Sequence, residues 1–85
     1  MALNIAYFAW IRERMGAADE TVELPANITR VGELIAWLAA RDSRGGQAFA
    51  EPKRVRAAID GVMMGPDAPL AGAREVALFP PVTGG

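Results

Sequence analysis

The last twelve residues, 74–85, have the sequence REVALFPPVTGG, and this stretch decides how the rest of the chain is interpreted. Its first half predicts a strand, with Val76 and Leu78 on one face and Ala77 and Phe79 on the other. The two prolines that follow each fix φ at about −65° and donate no backbone N–H, so they stiffen the chain where it leaves the strand. We therefore expect a last strand that continues into a stiff extension.

Four further strands are expected upstream, at residues 3–8, 21–24, 55–59 and 62–64, where β-branched and aromatic residues are frequent. The Asp60-Gly61 pair between the last two of these predicts a hairpin with a type I′ turn. Too few residues separate the first two strands for a helical crossover, so these two strands are expected to pair antiparallel.

One main helix is expected between the second and third strands. Val31, Leu34, Ile35 and Leu38 recur at the spacing of a single apolar helix face. We expect this helix to have its N-cap at Thr29, to run to about Arg41 and to be ended by residues 43–46, which include two glycines. Residues 10–15 are expected to form a short helical turn or loop that stops at Gly16.

The resulting order, β-β-α-β-β-β, predicts an α+β roll with one main helix packed across one face of a mixed sheet. After a crossover helix, the last strand can lie parallel to the first in the middle of the sheet, which is the β-grasp, ubiquitin-like arrangement. We expect residues 1–79 to form this domain and residues 80–85 to form a C-terminal tail.

The composition limits the chemistry of the chain. Its 85 residues suffice for one domain, and its net charge of −1 provides no overall basic field for nucleic acid. Cysteine and histidine are both absent, so the sequence has no disulfide framework and no thiol nucleophile, and a zinc site is not expected. A Ser-His or Cys-His catalytic pair is excluded. Any covalent chemistry on this chain must therefore use groups that a partner supplies.

The N-terminal residues carry no basic region and no clear cleavage site, so no signal peptide is expected. No apolar run approaches the ~20 residues that a membrane-spanning helix needs. These features predict a cytoplasmic protein that does not bind membranes.

Gly84 and Gly85 have no side chain, so a tail that ends in them can enter a narrow channel and lie close to another protein's backbone. We interpret the carboxylate of Gly85 as the reactive group of the chain. The alternative is a frayed end without function.

Four segments of the sequence carry a family resemblance: residues 7–13 (YFAWIRE), 31–34 (VGEL), 69–77 and 79–85 (FPPVTGG). Together they resemble the small subunit of molybdopterin synthase, a ubiquitin-like sulfur carrier, over essentially the whole chain. The chain departs from members of that family at Ile59-Asp60-Gly61, where many have Val-Asn-Gln or a similar turn. Partner contacts at this turn are therefore not carried over from the family, whereas the chemistry of the tail is unaffected.

The resemblance implies a cycle of sulfur transfer. An E1-like adenylyltransferase uses ATP to adenylate the carboxylate of Gly85, and a sulfur donor, a persulfide protein, converts it to a thiocarboxylate. The tail then enters the large subunit and gives its sulfur to the cyclic pyranopterin monophosphate precursor, which forms the dithiolene of molybdopterin. The resemblance also implies a heterotetramer, in which this chain is the sulfur-donating subunit of a sulfurtransferase and binds no cofactor itself.

The site residues that the resemblance implies fall into three groups. Gly85 and Gly84 form the reactive end, and Phe8, Met63 and Arg12 are expected at the interface with the large subunit. The channel of the partner is expected to receive the rest of the tail: Phe79, Pro80, Pro81, Val82 and Thr83. For Phe8, Met63 and Phe79 ordinary core packing is the alternative, and for Arg12 it is a solvated surface charge.

Two other functions stay open from the sequence. One is a related ubiquitin-like carrier for thiamine or cysteine synthesis, or for protein tagging through lysine. The other is a β-grasp interaction module that takes no part in catalysis.

Overall fold

The computed structural model describes residues 1–81 as a mixed five-stranded sheet with its helices on one face. The sheet order is β2-β1-β5-β3-β4. The strands are β1 (Ala2–Tyr7), β2 (Asp19–Glu23), β3 (Arg56–Ile59), β4 (Val62–Met64) and β5 (Glu75–Phe79). β1 pairs antiparallel with β2 and parallel with β5, and β3 pairs antiparallel with both β4 and β5. The predicted antiparallel first pair, the central parallel last strand and the β-grasp arrangement are confirmed.

Three α-helices and one 3₁₀ helix connect the strands: α1 (Ala9–Met15), α2 (Val31–Arg41), α3 (Ser43–Ala48) and the 3₁₀ helix Pro52–Arg54. α2 is the predicted main helix, and α1 is the predicted short helical segment before Gly16. The positive φ angles of Asp60 (48°) and Gly61 (85°) agree with the predicted type I′ turn.

The core lies between the sheet and the helices. Leu3, Ile5 and Tyr7 of β1 and Val76 and Leu78 of β5 are at most 1% exposed. They pack in one cluster with the predicted apolar stripe of α2 and with side chains from α1 and α3. Burial therefore alternates along β1 and β5, as the sequence pattern predicts.

The predicted N-cap at Thr29 is wrong by one residue, since Arg30 occupies the N-cap of α2. The Glu33 carboxylate accepts hydrogen bonds from the backbone N–H groups of Thr29 (2.8 Å) and Arg30 (3.0 Å) and from the Thr29 hydroxyl (3.0 Å). The pKa of Glu33 is lowered, chiefly by the bond from the Thr29 backbone. Glu33 therefore satisfies backbone N–H groups at the start of the helix, a role that the sequence reasoning had given to the Thr29 side chain.

α2 ends at Arg41 as predicted, but the prediction that residues 43–46 end it is wrong. Asp42 is its C-cap, and residues 43–46 form the first part of α3. The side chain of Asp42 accepts a hydrogen bond from the Gly45 backbone N–H at 2.8 Å and starts this helix. A Cβ atom at Gly45 would overlap the carbonyl oxygen of Leu38. Gly45 is thus required by the close approach of α3 to α2, although glycine lowers helix propensity.

Candidate functional site

The root of the tail lies at the centre of the sheet. β5 is hydrogen-bonded on one side to β1 and on the other to β3, so Phe79 emerges between two neighbouring strands. Phe79, Pro80 and Pro81 are all half-buried. The predicted tail residues Val82, Thr83, Gly84 and Gly85 lie outside the described residues.

Phe8 and Phe79 are neighbours, as expected for paired first and last strands. The Phe8 backbone N–H donates to the carbonyl oxygen of Leu78 at 3.1 Å, which extends the β1–β5 pairing to the point where the tail begins. Phe8 is 50% exposed and is the N-cap of α1. The next residue, Ala9, has a φ of 53°, in the left-handed region that non-glycine residues seldom adopt. This turn directs the chain from β1 into α1 immediately after Phe8.

The sheet face opposite the helices carries a patch of apolar side chains, which we call the apolar platform. Residues paired directly across neighbouring strands share a face, and the register places Met63, Ala58, Ala77 and Ala6 in one row across four strands. The platform consists of this row and of the two phenylalanines: Ala6, Phe8, Ala58, Met63, Ala77 and Phe79. Met63 is 60% exposed, and it lies two strands from Phe79, about 10 Å across the sheet.

The structure shows whether the predicted interface residues pack in the core. Phe8 and Met63 are exposed and Phe79 is half-buried, whereas the large core side chains of β1 and β5 are buried. The three side chains therefore lie on the platform and not in the core. Arg12 is exposed on α1. Contact of these four residues with a partner stays a prediction.

A partly buried polar cluster beside β1 was not anticipated from the sequence. The Tyr7 hydroxyl donates to Glu20 Oε2 at 2.7 Å, and Arg41 donates to both oxygens of Glu20 at 2.9 and 2.8 Å. The bonds from Arg41, followed by that from Tyr7, lower the pKa of the Glu20 carboxyl, and the Glu20 carboxylate raises the pKa of Arg41. Burial, together with the bond to Glu20, raises the pKa of Tyr7 above its usual value of 10.0.

This cluster is structural, because it satisfies the hydroxyl of a side chain that is 1% exposed. It joins β1, β2 and the last turn of α2, and so fixes the strand that borders the tail root. One signal was available in the sequence: Glu20 is in phase with Val22, which predicts that it faces the core.

The part of the chain that the structure describes offers no group of three or more His, Cys, Asp or Glu side chains arranged to hold a metal ion. Among the same residues, no helix has both the length and the apolar character that crossing a membrane requires.

The chain is similar to several known proteins. Residues 5–85 match the ThiS family. The chain is 35% identical to the molybdopterin synthase sulfur carrier subunit of Escherichia coli (strain K12), over 98% of this chain and 99% of that protein. It is 33% identical to the protein of the same name from Mycosarcoma maydis, over 99% of this chain and 94% of that protein.

A solved structure shares the fold. It is that of a Pyrococcus furiosus protein described as molybdopterin converting factor, subunit 1, and it superimposes with a TM-score of 0.73 at 26% sequence identity. The match covers 96% of this chain and 99% of that protein.

Proposed function

The chain belongs to the ThiS family, and we propose that it is the sulfur carrier subunit of a molybdopterin synthase, with Gly85 as its reactive end. One observation carries the proposal: the central strand β5 runs directly into the sequence PPVTGG, beside the exposed apolar platform. The near-full-length similarity to two sulfur carrier subunits supports the same function.

The first step activates a carboxylate, which is a poor acyl donor because its leaving group is poor. An oxygen of the Gly85 carboxylate attacks the α-phosphorus of ATP on an E1-like adenylyltransferase, and pyrophosphate leaves. The product is an acyl adenylate, whose AMP is a good leaving group. The chain supplies only the carboxylate, in keeping with a sequence that has no cysteine and no histidine.

The second step replaces oxygen by sulfur. The terminal sulfur of a persulfide attacks the carbonyl carbon, AMP leaves, and an acyl disulfide forms. A thiol then cleaves the S–S bond, which leaves a thiocarboxylate on Gly85 and a disulfide on the donor. The thiocarboxylate sulfur is anionic and nucleophilic.

The third step occurs in the large subunit, which we propose to contain the catalytic pocket and to bind the cyclic pyranopterin monophosphate precursor. There the thiocarboxylate sulfur bonds to a carbon of the precursor and displaces an oxygen substituent from it. Hydrolysis of the acyl–sulfur bond then leaves the sulfur on the precursor and returns the Gly85 carboxylate. Each carrier holds one sulfur, so two carriers serve each dithiolene. Holding the sulfur in the pocket converts an encounter into a positioned reaction.

The structure of the tail root suits insertion. Pro80 and Pro81 restrict the chain before it binds, which reduces the conformational entropy lost when the tail enters a channel. On the apolar platform, the exposed Phe8 and Met63 and the half-buried Phe79 are placed to contact the surface around that channel. Methionine suits a surface that contacts more than one partner, since its thioether side chain adapts its shape.

The intact mass of the chain tests the proposal. The purified chain is incubated with an E1-like activating enzyme, ATP and a sulfur source, and a chain shortened to residues 1–83 serves as the matched control. We expect a mass gain equal to the replacement of one oxygen by one sulfur, located on the C-terminal peptide and absent from the control. An unchanged mass, under conditions that modify a known carrier, would contradict the proposal and favour an interaction module.

A further inference from the structure

The charged side chains are distributed unevenly, and positive ones gather beside the end of β5. α1 and residues 51–56 together carry five basic and two acidic side chains, a formal charge of +3. The whole chain carries −1, so the remaining residues together carry −4. A nearly neutral chain thus has one distinctly positive region.

Both positive segments border the root of the tail. Phe8, directly before α1, donates its backbone N–H to Leu78, and Arg56 lies opposite Phe79 in the β3–β5 register. The positive side chains are therefore on two sides of the point at which the tail leaves the sheet.

Trp10 joins the two segments. The guanidinium carbon of Arg14 lies 4.6 Å from the centroid of the Trp10 ring, and that of Arg54 lies 5.7 Å from it. A cation near the face of an indole ring is attracted by its electron density. Since Trp10 also packs against the core, its ring is fixed and orients two arginines from different parts of the chain.

These contacts orient the arginine side chains but do not neutralise most of their positive charge. Arg14 donates to the carbonyl oxygen of Gln47 at 3.4 Å, and Arg56 donates to those of Lys53 (2.8 Å) and Val55 (3.3 Å). Within residues 1–81, the ion pair formed by these arginines is that of Arg54 with Glu51, at 3.6 Å between exposed side chains. Carbonyl groups and an aromatic ring carry no net charge. We call Arg14, Arg54 and Arg56 the basic collar.

We propose that the basic collar docks on a carboxylate-rich surface of the large subunit, around the mouth of the channel that receives the tail. The collar adjoins the apolar platform, since Arg56 lies opposite Phe79. The inference rests on the proposed function, because it takes the tail to enter the large subunit. Charge complementarity identifies the partner's surface as acidic. The contacts with Trp10 orient the guanidinium groups of Arg14 and Arg54, which reduces the side-chain entropy lost on binding and favours docking of a defined geometry. A nucleic acid is disfavoured, since the rest of the chain carries −4 and would be repelled by a polyanion.

The test compares three double variants with the wild-type chain. Arg14→Gln with Arg54→Gln removes two collar charges, and Arg14→Lys with Arg54→Lys keeps them. The matched control, Arg30→Gln with Arg74→Gln, removes two exposed charges elsewhere, of which Arg74 lies at the opposite end of β5. Dissociation constants are measured for the E1-like activating enzyme and for the large subunit, from about 0.05 to about 0.5 M salt. Urea unfolding checks that each variant is folded.

We expect the glutamine collar variant to bind the large subunit about tenfold more weakly at low salt, with a difference that shrinks at high salt. The lysine variant and the distant control are expected to bind within about threefold of wild type. Wild-type affinity of the glutamine variant for the large subunit would overturn the inference alone, as would equal loss in the glutamine and lysine variants. Failure of the wild-type chain to bind the large subunit would overturn the proposed function as well.

Discussion

The two faces of the sheet use the same strands in opposite ways. On the covered face, Tyr7, Val76 and Leu78 are at most 1% exposed and pack against the helices. On the open face, Phe8 is 50% and Met63 60% exposed, and both lie on the apolar platform. Since alternate residues of a strand point to opposite faces, a shift of one residue moves a side chain from one role to the other.

The difference separates stability from binding. The covered face supplies most of the burial that stabilises a domain of this size, whose core is modest. The open face exposes large apolar side chains beside the tail root, where a monomer gains little from them and a partner can bury them. Substitutions on the two faces are therefore expected to have different consequences.

The largest effect is expected on the covered face. Leu78 is 0% exposed, and Leu78→Ala removes buried methyl groups and leaves a cavity. The free energy of unfolding should fall by about 2–5 kcal/mol, a large part of the roughly 5–15 kcal/mol typical of a whole domain. Urea unfolding measures the loss. A change of less than about 1 kcal/mol would contradict the assignment of this face to the core.

At the reactive end the effect should appear in activity and not in stability. Gly85→Ala adds a side chain to the residue that must enter both partner channels. We expect activation or transfer to fall at least about 100-fold, equivalent to about 3 kcal/mol, with an unchanged free energy of unfolding. A reconstituted turnover assay measures the loss of activity, and near-normal turnover would contradict the proposed role of Gly85.

Phe79→Ala tests the difference between the two faces of the sheet most directly, because Phe79 follows Leu78 in β5 and lies on the opposite face. We expect affinity for the large subunit to fall by about 2 kcal/mol, roughly 30-fold, as for a central aromatic contact. The loss of stability should be less than half of that caused by Leu78→Ala.

Calorimetric titration and urea unfolding of the Phe79 variant provide both numbers. Thr21→Ala, an exposed position of β2 on the open face but outside the platform, is the matched control. A Phe79 variant that unfolds would assign this side chain to packing. A variant that binds the large subunit normally would contradict its role in the contact.

The smallest effect is expected in the polar cluster on the covered face. Glu20→Gln weakens the charge-assisted bonds from Arg41 and should cost about 1–2 kcal/mol. In the wild type the lowered pKa of Glu20 contributes stability above its unfolded value near 4.5, and this stability is lost as the pH falls through the folded value. The variant should lose less stability between pH 5 and pH 2. Identical acid profiles of the two proteins would contradict this role.

The fold was largely predictable because its strands and main helix follow simple periodicities. The alternation of Val76 and Leu78 with Ala77 and Phe79 predicted both the last strand and its two faces, and the structure confirms them. The chain order alone then placed this strand beside the first. Phe8 is out of phase with the buried Leu3 and Ile5 of β1, and the same alternation accounts for its exposure.

Features that depend on close contacts between distant residues were not predictable. Gly45 suggested a helix end because glycine disfavours helices, yet the approach of α3 to α2 requires it. The contact between Trp10 and Arg54 forms only in the folded chain, and no local sequence pattern connects residues so far apart. The reactive role of the tail was inferred from its two terminal glycines and from the family resemblance, and its last four residues lie outside the described structure.

The transfer of labelled sulfur tests the central claim most directly. The chain is loaded with radioactive sulfur on Gly85, mixed with the large subunit and the pyranopterin precursor, and the label is followed with time. The account predicts that the label leaves the chain and appears in the dithiolene product, while the chain regains its original mass. Label that stays on the chain, or a chain that becomes linked to lysine residues of other proteins, would contradict it.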